Sequence, residues 1–355
     1  MHRPGVERVH APLRRLAQLS SRVHRAGRLG RPLPDGAQPC RPSRYRREVF
    51  APDAVAAFLS DHFGSAVSNV ERVGQGEWST AYAFERSGEV YVVRFGSYGE
   101  DFEKDRLASR YGAPELPIPR ILETGRAADG FFAISERARG IGLDELDEAQ
   151  VKGMLPALLN GLDAIADADL SGTTGFGTWG PSGSSPRESW RDALLDVGDD
   201  PVGYRTHGWR ERLAASTVGM RPFEIGFQRL VELVEGCPEE RHLVHSDLLN
   251  NNVLVDGERL TAVLDWGSAK YGDPIYDGAW LSFWWPWYPA WQNIDIDHIL
   301  EEHYAANHLE GVEERLRCYR LHIGLEGMAY QAFTQDWDQL ASTTELTLAV
   351  AERDT

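Results

Sequence analysis

Lysine is nearly missing from this 355-residue sequence: Lys104, Lys152 and Lys270 are the whole complement, against 34 Arg. Cysteine is as scarce, with Cys40, Cys237 and Cys318 odd in number and far apart. That excludes a disulfide framework or a CxxC metal site and points to a reducing cytoplasm. Long apolar runs are lacking too. The longest, Ala279 to Trp291, contains Pro286 and Pro289 and falls short of the roughly 20 residues that span a bilayer, so no membrane partner is expected. Arg is scattered through the N-terminal region without an uninterrupted apolar stretch, so no secretory signal is read there. Basic charge is in deficit overall: 37 Lys+Arg face 54 Asp+Glu, for −17. A generic nucleic-acid coat needs the opposite sign. Such acidity suits a cationic ligand, and solubility accounts for it equally well.

What the chain does have is enough apolar content for a sizeable core, 42%, and a length that favours two lobes over one. Its charge is uneven. Residues 1–48 hold twelve Arg against three acids, +9, which leaves −26 for the other 307 residues. That segment mixes Arg, Pro, Gly and Ser without periodicity and is expected to be a disordered tail with no function of its own.

From Pro52 onward the pattern becomes structured. Asp53 is placed to cap a helix over Ala54–Phe63. Strand-like runs follow at Val70–Val73, Ser79–Glu85 and Val90–Phe95, then a helix over Asp101–Tyr111, then strands at Arg120–Thr124 and Phe131–Glu136. Three strands, a helix and two strands describe a small sheet-rich lobe. Past Gly140 the spacing turns helical, over Gln150–Asp169, Trp190–Val197 and Phe223–Glu235, with two short strands at Asn252–Val255 and Leu260–Leu264 around an Asp256-Gly257 turn. The fold class expected is α+β: a 1–48 tail, a 49–138 N-terminal lobe and a 139–355 helical lobe.

The strongest chemical signal is His245-Ser246-Asp247 with Asn252 five residues on, followed by Val263-Leu264-Asp265-Trp266. Phosphoryl transfer explains the set. An attacking hydroxyl needs a carboxylate to orient it and take its proton, the role read for Asp247. Magnesium needs hard oxygen ligands around a triphosphate, which suits Asn252 and Asp265. His245 reads as a brace to backbone or to Asp265. A second signal is Gly74-Gln75-Gly76 through Ser79, where Gly74, Gly76 and Ser79 would let backbone approach phosphate; a plain turn is the competing reading. The third is Arg94, which emerges from an apolar strand and can meet α/β-phosphates, pinned by Asp105 or Glu103. The fourth is a Trp-rich stretch, Trp280, Trp284, Trp285, Trp287 and Trp291, which can stack on sugars or hold cations or can simply be core.

These residues, with Leu116-Pro117-Ile118-Pro119, Thr174-Gly175-Phe176-Gly177, Phe283-Trp284-Trp285-Pro286-Trp287 and Arg320-Leu321-His322, resemble aminoglycoside phosphotransferases of the hygromycin B kinase branch over about 52–345, with a poor match over 186–225. The resemblance implies a protein-kinase-like bilobal fold with ATP and Mg2+ in the cleft. It implies transfer of the γ-phosphate to a hydroxyl of a small cationic aminoglycoside such as hygromycin B, conferring antibiotic resistance. It gives Asp247 as base, Asn252 and Asp265 as metal ligands, and a hinge near Ser135–Ala138, with Glu136 and Ala138, at adenine. Arg94 stands where many such kinases carry Lys. Substrate-side candidates, by position and charge, are Asn251, Asp277, Trp284, Trp287 and Glu326. A monomer is expected. Two alternatives stay open: a kinase of another small alcohol, such as choline, homoserine or a macrolide, and a silent cation-binding pseudokinase.

Overall fold

The structure, a computed structural model, describes residues 51–127 and 130–352; the expected Arg-rich tail lies outside them. The chain opens with helix α1 (Pro52–Phe63). Asp53 does not cap it. Ala51 is the cap and Pro52 takes the first helical position, where its missing N–H costs nothing and its fixed φ already fits. Strands β1 (Ser68–Gln75), β2 (Ser79–Arg86) and β3 (Glu89–Gly96) follow, then helix α2 (Gly99–Ala108) and strands β4 (Ile121–Ala127) and β5 (Gly130–Glu136). All five pair antiparallel in the order β1-β2-β3-β5-β4. The β2–β3 turn has Ser87 at φ 55 and Gly88 at φ 83, the doubly left-handed geometry that matches strand twist in tight hairpins.

Alternation along these strands makes two different faces. Tyr82, Phe84, Val93, Phe95, Phe132 and Ile134 are buried in one cluster with Val55 and Leu59 of α1. The other face carries Ala81, Val92 and Arg94 into a cleft. The amphipathic helix therefore covers one side of the sheet and leaves the opposite side to form the cleft roof.

Beyond β6 (Ile141–Gly142) come helix α3 (Glu148–Ala166), strand β7 (Gly177–Thr178) and helices α4 (Trp190–Leu195), α5 (Trp209–Ala215) and α6 (Arg221–Leu233). Strands β8 (His242–Val244), β9 (Val253–Asp256), β10 (Arg259–Val263) and β11 (Lys270–Gly272) follow, in two small sheets ordered β10-β9-β6 and β7-β11-β8. Helices α7 (Ile275–Trp284), α8 (Ile296–Ala306), α9 (Val312–Thr334) and α10 (Trp337–Glu352) complete the chain. The architecture is α+β, with an antiparallel sheet in the N-terminal part and helices dominating the rest. The apolar stretch that begins in α7 breaks at Pro286, and among the described residues no helix is long and apolar enough to cross a membrane.

Helix α9 is buried nearly all round, including Arg315, Arg317, Arg320 and His322. Such charge survives burial only when paired. Arg315 forks onto Asp273, Nε to Oδ2 at 2.8 Å and Nη2 to Oδ1 at 2.6 Å. The Tyr319 hydroxyl and the Ile275 N–H also donate to Asp273. This knot fixes the start of α7.

Candidate active site

Strand β8 delivers the His245–Asp247 segment to the floor of an open cleft of about 1820 Å3. His245 is fully buried. Its Nε2 meets the Leu264 carbonyl at 2.9 Å, and its Nδ1 accepts from the Asp247 N–H at 3.2 Å. Burial pushes its pKa down to about 4, so the ring is neutral and can donate at one nitrogen while accepting at the other. The brace goes to backbone and not to Asp265.

Asp277 holds the same segment from behind. Its Oδ2 accepts from His245 N at 2.8 Å and its Oδ1 from Ser246 N at 2.7 Å. It is 2% exposed and absent from the cleft wall. This corrects the expectation of a substrate contact: both oxygens are committed to backbone donors, and the acid positions the His245–Ser246 backbone.

Asp247 faces the cleft. Asn252 Nδ2 donates to the Asp247 Oδ2 and to its carbonyl, each at 3.0 Å. The Leu264 N–H in turn donates to the Asn252 carbonyl at 2.7 Å, which brings Asp265 to the same floor. Asp265 and Ser246 sit at φ 60 and 58, a left-handed backbone that costs a non-glycine residue roughly 1–3 kcal/mol and gathers at functional sites. Burial, and then the charge of Asp265, push the Asp247 carboxyl up to about 8. Asp265 is exposed, yet desolvation by the surrounding protein, and then the charge of Asp105, raise its pKa also, against the pull of Arg94. Two acids held above their ordinary pKa therefore face one cleft, where nearby positive charge would stabilise their ionised forms.

The roof supplies some of that charge. Arg94 of β3 pairs with Asp105 of α2, whose other oxygen accepts from the Trp266 N–H at 2.8 Å. Glu103, the other candidate partner, bonds Thr124 and Arg106 instead. Gly74, Gly76 and Ser79 line the cleft, and Gly76 N donates to Ser79 O at 2.9 Å. Neither glycine has a positive φ, so chain geometry does not demand them there. Glu136 and Ala138 line the cleft at the link between the lobes, but the Glu136 carboxylate turns outward to Arg120 at 3.0 Å.

Of the substrate-side candidates, Asn251, Trp284, Trp287 and Glu326 line the cleft together with Trp280 and Tyr288. Among the described residues, the indole N–H groups of Trp280, Trp284 and Trp287 are buried without a hydrogen-bond partner. Trp285 and Trp291 are core: Trp285 Nε1 donates to Trp291 O at 3.3 Å and Trp291 Nε1 to Leu146 O at 3.0 Å. Glu326 is engaged by Lys270 at 3.4 Å and by the Tyr276 hydroxyl at 3.2 Å.

Sequence reasoning missed both buried lysines. Lys270 Nζ donates to the Ser246 Oγ at 3.0 Å. Lys104 Nζ reaches the carbonyls of Gly267 at 2.5 Å and Ala269 at 3.4 Å, tying α2 to the turn after Asp265. Burial lowers the Lys104 pKa to about 8 from the usual 10.5. A base depressed in the folded state binds fewer protons there than in the unfolded chain between those values, so this group makes stability rise with pH across that window. Measured by denaturant unfolding from pH 7.5 to 10, the stability of the parent relative to Lys104→Met should therefore climb by roughly 2 kcal/mol. A gap that stays flat with pH would contradict this.

A model of the phosphotransferase enzyme family matches residues 69–320. The hygromycin-B 4-O-kinase of Escherichia coli is 36% identical over 294 residues, covering 81% of this chain and 82% of that protein. Crystal structures of the aminoglycoside phosphotransferase APH(4)-Ia superpose on the chain at 34% identity. One has a TM-score of 0.74 and covers 85% of this chain and 98% of that one. Another, a thermostable mutant in ternary complex with AMP-PNP and hygromycin B, has a TM-score of 0.73 and covers 84% and 97%. A spectinomycin phosphotransferase with ADP and spectinomycin, 14% identical at a TM-score of 0.56, shares the fold. With the family matched over residues 69–320 and 36% identity spanning 81% of the chain, the protein belongs to the phosphotransferase enzyme family.

Proposed function

We propose that this chain is a kinase that transfers the γ-phosphate of ATP to a hydroxyl of an aminoglycoside of the hygromycin B type, with the nucleotide lobe over 49–138 and the acceptor lobe over 139–355. The observation that carries it is the Asp247–Asn252 contact on the floor of a cleft that has Arg94 in its roof and Trp280, Trp284 and Glu326 on its far wall. The similarity to hygromycin-B 4-O-kinase names the acceptor class.

In the step proposed, the acceptor hydroxyl oxygen bonds to the γ-phosphorus as the bond to the β-phosphate oxygen breaks. Asp247 orients that hydroxyl and takes its proton. Arg94, fixed by Asp105, meets the phosphates with a planar fork rather than the point charge of a lysine. Neutral His245 and Asp277 keep the Asp247 backbone still. Glu326 and the indole faces receive the cationic acceptor. Asn252 and Asp265 offer hard oxygens that fit magnesium: the Asn252 side-chain nitrogen is spent on Asp247, which leaves its side-chain oxygen Oδ1 as the available ligand. When bound, the ion neutralises charge on the phosphates and lowers the raised carboxyl pKa values.

A coupled ADP-release assay across hygromycin B, other aminoglycosides, choline, homoserine and a macrolide tests the reading. Turnover is expected with hygromycin B at a kcat/KM at least tenfold above every non-aminoglycoside. Turnover with choline or homoserine alone would move the enzyme to another small alcohol, and tight binding with no ADP to a silent cation binder.

A further inference from the structure

The segment between α4 and α5 forms an arm built into the helical lobe. The Asp200 carboxylate accepts from Gly208 N at 2.8 Å and Arg210 N at 3.2 Å, which caps the start of α5. Trp209 Nε1 donates to Asp199 O at 3.1 Å and Arg210 Nε to Gly198 O at 3.0 Å. From this anchored arm one side chain crosses the cleft mouth. Arg205 forks onto Asp101 at the start of α2, Nη1 to Oδ2 at 2.8 Å and Nη2 to Oδ1 at 2.7 Å. Its Nη2 also meets Glu100. The guanidinium lies over the Tyr98 ring at 3.8 Å, and Tyr98 meets Trp78 edge-on at 5.5 Å. Trp78 belongs to the Gly74–Ser79 turn.

We infer that Arg205 is a positioning residue for the nucleotide: it clasps the helical lobe to α2 and, through Tyr98, holds the Trp78 turn over the triphosphate site. Two separate observations support this. The fork is bidentate and stacked, the arrangement in which an arginine is best ordered. The partner acid also lies deep in the site: a Cβ built on Gly267 would stand 3.2 Å from the Asp265 Oδ1 and 3.4 Å from Asp101. Without Arg205, the Asp101 charge would be left facing the incoming phosphates and the turn would lose its support.

The inference rests on the cleft being an ATP site, so its test has one arm that needs no activity. Arg205→Ala is expected to raise the KM for ATP about tenfold, the scale of one charged fork, with kcat changed less than twofold and the acceptor KM unchanged. Arg205→Lys, which keeps the charge without the fork, should fall between. Arg205→Ala with Asp101→Asn, which removes the stranded charge, should regain part of the loss. In the nucleotide-free protein, amide exchange across residues 74–80 and 98–101 should speed up in Arg205→Ala while exchange in α9 stays the same. If the parent phosphorylates nothing, the kinase reading fails and the exchange arm still decides the clasp. Unchanged exchange and an unchanged KM for ATP in Arg205→Ala would overturn it, as would a uniform rise in exchange through the whole fold.

Discussion

Asp247→Asn is expected to lower kcat by about 10³-fold, within the range a positioned general base contributes, while ATP affinity stays within about twofold of the parent. The replacement has nearly the same shape and its side-chain oxygen can still accept from Asn252, which contacts Asp247 at 3.0 Å in the parent. What it loses is the capacity to take a proton. Arg94 and the Gly74–Ser79 turn are untouched by it, so the nucleotide contacts remain. ADP release under saturating acceptor measures the first quantity, and displacement of a fluorescent nucleotide measures the second. A kcat within tenfold of the parent would remove Asp247 from the reaction. Joint loss of turnover and ATP binding would instead say that the acid shapes the nucleotide pocket.

The second large effect concerns stability. Asp273→Ala strands the Arg315 guanidinium, 6% exposed, with its fork broken. Breaking a buried pair by deleting one partner costs about 3–5 kcal/mol, which in a fold of this size lowers Tm by roughly 6 °C. Asp273→Ala with Arg315→Met removes both charges and should recover a large part of that loss. Thermal unfolding followed by circular dichroism reads both variants. An Asp273→Ala protein as stable as the parent would show that the knot is incidental. Because α7 starts at this knot and carries Asp277, the single variant should lose activity only as it loses fold.

Much of the site could be read in the chain because its logic is local. His245, Asp247 and Asn252 lie within eight residues, and Asp265 follows one hairpin later, so spacing alone places their backbones near one another. The sheet was equally legible, since alternation in Tyr82–Phe84 and Val93–Phe95 announces a face covered by α1. The misreadings are of long-range contacts. Asp277 looked like an acid available to a cation, and nothing in sequence says that two backbone N–H groups 31 and 32 residues earlier consume both its oxygens. Glu103 and Asp105 are both within reach of Arg94 on paper, and only the helix phase selects Asp105. The buried lysines did leave a trace. In a chain with 34 Arg, two of the three Lys stand buried at the site. Arg205 left none, because its partner lies a hundred residues away in a stretch without regular pattern.

Helix α2 joins these pieces. Asp101, Lys104 and Asp105 share one helical face, and each is answered by a different element: the arm, the turn after Asp265, and β3 with Trp266. The roof therefore hangs from its base in part by charge-assisted threads, one of them the Arg205–Asp101 ion pair. Added electrolyte weakens such threads unevenly: the enclosed Lys104 and Asp105 contacts are shielded from it, and the Arg205–Asp101 fork, 27% and 15% exposed, is the more open to it. Brine should thus tip the roof open from the front, like a visor, with its rear pivot intact.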